Sequence, residues 1–193
     1  MTYLVLGLAL FFATHLLPMA PRLRERAKML LPASTYQLIF SLLSAFALLL
    51  IVVGYGQMRG QTRLNPELWA PTHWLRHVTI ILMLPAMILL VAAYVPSRIR
   101  SALKHPMLAA IILWAFGHLL AKGDFASVIL FGSFLTWALI DRISVGQRNA
   151  LGPLGARAGG LSGDLVAVGG GLAIYLIMIF WGHRWLIGVP VLL

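Results

Sequence analysis

Apolar residues run along this chain in long blocks broken by short polar stretches, with neither the alternation of a half-buried strand nor the single stripe of a surface helix. A helix needs about 17–25 such residues to cross roughly 30 Å of hydrocarbon. Blocks of that kind fall at residues 2–20, 35–54, 74–95, 106–121, 124–141 and 164–181. The pattern predicts an all-α integral membrane protein: one bundle of about six transmembrane helices, a single domain over residues 1–193, with little chain outside the bilayer. The prolines of "LLPAS" before the second span and "YVPSR" after the third stand where helices start and stop. "KGD" at 122–124 is the shortest turn, so the fourth and fifth spans form a tight antiparallel hairpin. Gly123 is expected there in the left-handed conformation and Asp124 as the cap of the next helix. "LGPLGARAGGLSGD" at 151–164 reads as a glycine-rich loop, and "VGGGLA" at 168–173 lets the sixth span approach a neighbour closely.

Composition agrees with the membrane assignment: 61% of residues are hydrophobic and 10% charged, and the mean hydropathy is +0.92. The formal charge of +10 would suit nucleic acid if it formed one patch, but it is divided among alternate loops. Arg22, Arg24, Arg26 and Lys28, then Arg98, Arg100 and Lys104, then Arg142, Arg148 and Arg157 make up ten of the fifteen basic residues. The opposite loops hold Arg59, Arg63, Lys122 and Arg184, and Arg76 lies just inside the third span. Positive loops stay in the cytoplasm, which puts both termini outside (N-out/C-out) and makes the lipid bilayer, not nucleic acid, the partner of these charges. The first span lacks the basic flank of a signal peptide and is expected to remain as a helix. No GxxxxGK[ST] phosphate cradle occurs.

The chemistry must come from the few ionisable residues in or near the bilayer. The five acids, Glu25, Glu67, Asp124, Asp141 and Asp164, sit at helix ends or in loops, and no two share a helix face for acid–base hydrolysis. With no cysteine, thiolate-bound zinc, iron–sulfur clusters and disulfides are excluded. Histidine is the remaining strong nitrogen ligand. His118 in "AFGHLL" and His15 in "FFATHLLP" are embedded in apolar sequence, where an imidazole either bonds a backbone carbonyl or ligates a haem iron. Gly117, beside His118, would leave room for a bulky group. His73 and His77 share a face at i and i+4, two-thirds of a zinc site beside Trp69 and Trp74, where interfacial solvation is the simpler role. His105 precedes Pro106 as a helix-start element, and His183 in "WGHRW" belongs to an interfacial aromatic belt.

"FFATHLLPMAPRLR" at 11–24 and "HPMLAAIILWAFGHLLAKGDFASVILFGSFLTWALI" at 105–140 resemble the NnrU family of bacterial inner-membrane proteins. The resemblance implies a multi-pass protein of the bacterial inner membrane linked to denitrification, with a denitrification-related membrane or periplasmic partner. The family is similar in turn to 15-cis-zeta-carotene isomerase, a haem b membrane enzyme. That similarity implies haem b as cofactor, with His118 and His15 as ligands of the haem iron. It departs at one place: the isomerase has a cysteine one turn before its second histidine, where this chain has Ala115. Depth distinguishes the partners, since at 1.5 Å per residue His15 lies roughly 20 Å from the outer end of its helix and His118 about 5–9 Å from its own. A tilted haem suits His15; an upright one suits His77 on the third span. "KHPMLAAIILWAFGHLL" is also similar to the start of the methyltransferase region of isoprenylcysteine carboxyl methyltransferases, but the matching downstream stretch "DRISVGQRNALGPLGARAGG" has one acid and no glutamate. The expectation is therefore a haem protein of nitrogen-oxide metabolism, electron transfer or isomerisation. A cofactor-free accessory protein for a denitrification enzyme is the alternative.

Overall fold

Each of the six apolar blocks folds as an α-helix in the computed structural model, which describes residues 1–150, 152, 154, 155 and 157–192. The helices are α1 (Thr2–Leu16, continued by a 3-10 turn to Met19), α3 (Ala33–Arg59), α4 (His73–Ala92), α6 (Pro106–Ala121), α7 (Phe125–Gln147) and α8 (Leu161–Ile177). A π segment, Met178–Gly182, joins α8 to α9 (His183–Ile187). Five of these segments are long and apolar enough to cross a membrane. The sixth, α6, has 16 residues, and at 1.5 Å per residue reaches about 24 Å, short of the ~30 Å core.

Two further helices lie in stretches expected as loops. Residues 21–34 contain α2 (Pro21–Leu30), because Pro21 presets its first turn and Leu, Arg, Glu, Ala, Lys and Met are all good helix formers. Residues 96–105 contain α5 (Arg98–Leu103), whose N-cap Ser97 accepts the Arg100 amide at 3.1 Å. Hydropathy does not register either, because both are polar. The loop expected at 151–164 includes Leu151, Pro153 and Ala156, which lie outside the described residues.

The chain forms two units. In the first, residues 1–68 and 124–133, α1 and α3 run antiparallel in close contact. A β-carbon at Gly7 would lie 2.8 Å from the Ile51 amide nitrogen, and one at Gly54 would overlap the backbone of Leu4. Without a hydrophobic drive between helices in lipid, close packing at small residues is what holds such a pair. Leu4, Leu8, Phe11, Ala47, Ile51 and Met58 form its core.

In the second unit, residues 69–123 and 134–193, α4 packs on both α6 and α8. At Gly171 a β-carbon would stand 2.5 Å from Ile88 Cα, so the glycine run of 168–173 does serve close approach. The rest of α7 in this unit pairs with α6 antiparallel: Trp114 meets Phe134 edge-on at 5.7 Å, while Leu108, earlier in α6, shares a core cluster with Ala138 and Val145. At the end of the unit carrying α5, Arg100 is buried and not turned to headgroups, donating to the carbonyls of Arg157 at 3.0 Å and Gly155 at 2.6 Å.

Candidate functional site

His118 stands in the last turn of α6, partly buried, with Nδ1 2.7 Å from the Trp114 carbonyl oxygen. A carbonyl only accepts, so Nδ1 carries the ring proton and Nε2 bears the lone pair. Helical side chains lean back toward the preceding turn, which makes the carbonyl four residues earlier the natural acceptor. The Trp114 indole lies 5.3 Å from the imidazole. The space expected beside Gly117 is not left for a bulky group. A β-carbon there would meet Met83 Cε at 2.8 Å, and Thr79 Oγ1 lies 2.7 Å from the Gly117 carbonyl oxygen and 2.9 Å from that of Leu75. Gly117 therefore serves the contact of α6 with α4.

His183 is the first residue of α9, and its amide closes the π turn on the Met178 carbonyl. π turns of this kind re-aim the residues that follow them and recur at functional sites. Its Nδ1 lies 2.6 Å from the Val189 carbonyl oxygen, the same tautomer as His118. An aromatic-belt sequence gave no sign of that turn or of the Val189 contact. His77 and His73 have rings 5.4 Å apart, but both are exposed. At 100° per residue, His77 is turned about 200° around α4 from Thr79, which faces α6. Among the described residues no group of three or more His, Cys, Asp or Glu is placed to hold a metal ion.

In the first unit, His15 repeats the arrangement of His118: Nδ1 lies 2.8 Å from the Phe11 carbonyl oxygen and 3.1 Å from Thr14 Oγ1. Its ring stacks on Phe11 at 3.8 Å and 14° and leans on Phe40 at 5.1 Å. His105 is the N-cap of α6, as expected. Burial pushes its pKa below the ordinary histidine value, and its hydrogen bond to the Ala150 backbone offsets only part of that.

The corner before α7 holds a polar network that sequence reading saw only in part. Asp124 caps α7, accepting the Ser127 amide at 3.1 Å and the Ser127 hydroxyl at 2.6 Å. Asn65 donates to the same carboxylate at 3.0 Å and accepts the Ala126 amide at 2.7 Å. Since the Ser127 proton goes to the carboxylate, Tyr55 must donate across its 2.9 Å contact with Ser127 Oγ. Burial alone would raise the Asp124 pKa, but the hydrogen bonds from Ser127, Asn65 and backbone amides outweigh it and hold the carboxyl below its usual value. Gly123 is not left-handed: the glycines with positive φ among the described residues are Gly155 and Gly188. Lys122 leaves α6 extended instead, and Gly123 is needed because a β-carbon would overlap the Trp69 carbonyl oxygen.

Apolar helices long enough to cross a bilayer, packed closely through glycines, define a multi-pass membrane protein. The model of the family described as "NnrU protein" matches residues 3–191, nearly the whole chain, and the chain belongs to the NnrU family. No curated protein and no solved structure matched it.

Proposed function

We propose that this protein holds one haem b through His118 and His15 and acts in electron transfer linked to nitrogen-oxide reduction in a bacterial inner membrane, with a denitrification-related redox protein as partner. The observation that carries the reading is the 2.7 Å contact of His118 Nδ1 with the Trp114 carbonyl oxygen. Ligating histidines ordinarily donate their other ring nitrogen in this way, which fixes the tautomer, orients the ring and raises the basicity of Nε2. His15 makes the equivalent contact with Phe11, so both residues fit the ligand role named by the family resemblance. When bound, haem supplies a redox-active iron whose potential follows from its axial ligands and burial. Trp114 and Phe134 would keep water from the His118 side of such a site. Ala115, buried in place of a cysteine, leaves no thiolate to exchange with imidazole, which favours electron transfer over isomerisation.

A second pairing, His118 with His183, is favoured by geometry within one unit, since His183 Nδ1 lies 2.6 Å from the Val189 carbonyl oxygen and so leaves Nε2 with the lone pair, as in His118. Haem content of protein purified from haem-replete cells tests the proposal. About one b-type haem per chain is expected in the wild type and none in His118→Ala. Full haem in that variant removes His118 as ligand. Haem in neither leaves the histidines as helix-packing groups of an accessory protein.

A further inference from the structure

Where α1 gives way to α2, the surface of the first unit carries an open pocket of about 210 Å³ lined by Pro18, Arg24, Tyr36, Gln37, Phe40 and Ser41. Three elements build it: the turn after α1, the first turn of α2, and one face of the first turns of α3, where residues 36, 37, 40 and 41 fall together. Its polar lining is a guanidinium, an amide and two hydroxyls, all able to donate, and no carboxylate contributes. That donor set suits an oxyanion, and a guanidinium fork matches two phosphate oxygens at once. Pro18 and Phe40 add an apolar wall that a bare inorganic ion would not need.

Two neighbouring features indicate what the oxyanion is attached to. Helix α2 carries Arg22, Arg24, Arg26 and Lys28 against the single acid Glu25, yet leaves Leu23, Met29 and Leu30 54%, 78% and 83% exposed. A basic helix with exposed apolar side chains lies in the headgroup layer and is drawn to anionic lipid. From the pocket, Leu38, Leu42 and Phe46 continue along α3 at i, i+4 and i+8, 59%, 60% and 53% exposed, directly beside Gln37 and Ser41. We infer that the pocket binds the phosphate of an anionic phospholipid, clamped by Arg24, with an acyl chain lying along Leu38, Leu42 and Phe46. This site uses none of the proposed haem ligands, although its wall residue Phe40 also leans on the His15 ring.

The test is native mass spectrometry of the delipidated full-length protein with phosphatidylglycerol or phosphatidylcholine, and with inorganic phosphate as competitor. Losing a charge-assisted bidentate contact should weaken phosphatidylglycerol binding about tenfold in Arg24→Gln. Arg22→Gln, which removes the same charge from the same helix away from the pocket, should change it less than about twofold. Arg24→Lys, keeping the charge without the fork, should fall between them, and because residues 22 and 24 are both exposed all three variants should melt like the wild type. Equal losses in Arg24→Gln and Arg22→Gln would overturn the site in favour of diffuse attraction by α2. Displacement of the lipid by millimolar inorganic phosphate would make it a free-anion site, and equal retention of phosphatidylcholine would remove its selectivity for anionic lipid; either result overturns the inference.

Discussion

An imidazole inside an apolar helix has one acceptor always within reach, the carbonyl one turn back, and His15 and His118 both use it. That bond leaves Nε2 as the nitrogen with the lone pair, the one able to meet a metal. With His118 and His15 as the ligands, His15→Ala should leave five-coordinate, high-spin iron, while His183→Ala and the exposed His77→Ala keep the wild-type absorption spectrum. A high-spin spectrum in His183→Ala with a normal one in His15→Ala would move the second ligand to α9. A second prediction concerns glycine. Gly123→Ala forces a β-carbon onto the Trp69 carbonyl and should lower stability in detergent by about 2 kcal/mol. Gly56→Ala, inside α3 with nothing within 4 Å of the added carbon, should leave stability unchanged or raise it by up to about 1 kcal/mol. Equal effects from the two would mean that the Trp69 contact is not what selects glycine. The importance of Gly123 was legible in "KGD", but its reason was not, because close approach depends on a residue more than fifty positions away. His183 was hidden for the same kind of reason, since its direction follows from a π turn that no local pattern announces.

Helices legible as unbroken apolar blocks stand where expected, because burial in lipid needs that pattern and nothing else in a chain of this composition produces it. The helices α2 and α5 were not legible from hydropathy, since one is interrupted by four basic residues and an acid and the other is six residues long. The corner of α7 was half legible: Asp124 read as a cap, but Tyr55 and Asn65 reach it from distant positions. This corner carries a pH dependence of definite sign. The Asp124 carboxyl is held below its unfolded value, so the network's contribution is complete above the ordinary carboxylate pKa of about 4 and is lost as pH falls through the lower folded value. Thermal unfolding in detergent should therefore show wild type losing stability in acid, with a shallower fall in Asp124→Asn, which has no proton to gain there. Parallel acid profiles for the two proteins would show that Asp124 does not contribute through its charge.

At the scale of the molecule, sequence and structure agree on a multi-pass helical protein, and the family match extends over almost all of it. The division into two units was not legible, because the apolar blocks carry no composition break at residues 68 or 133. Orientation rests on ten basic residues in alternate loops. A periplasm-active reporter fused after Arg63 should be active and one fused after Arg148 inactive, with the reverse pattern inverting the whole topology. Haem binding is most directly tested by the visible spectrum of the purified wild-type protein from haem-replete cells, before and after dithionite. Ligation by two imidazoles predicts a Soret band that shifts on reduction together with sharp α and β bands. A colourless preparation with the same fold would contradict it.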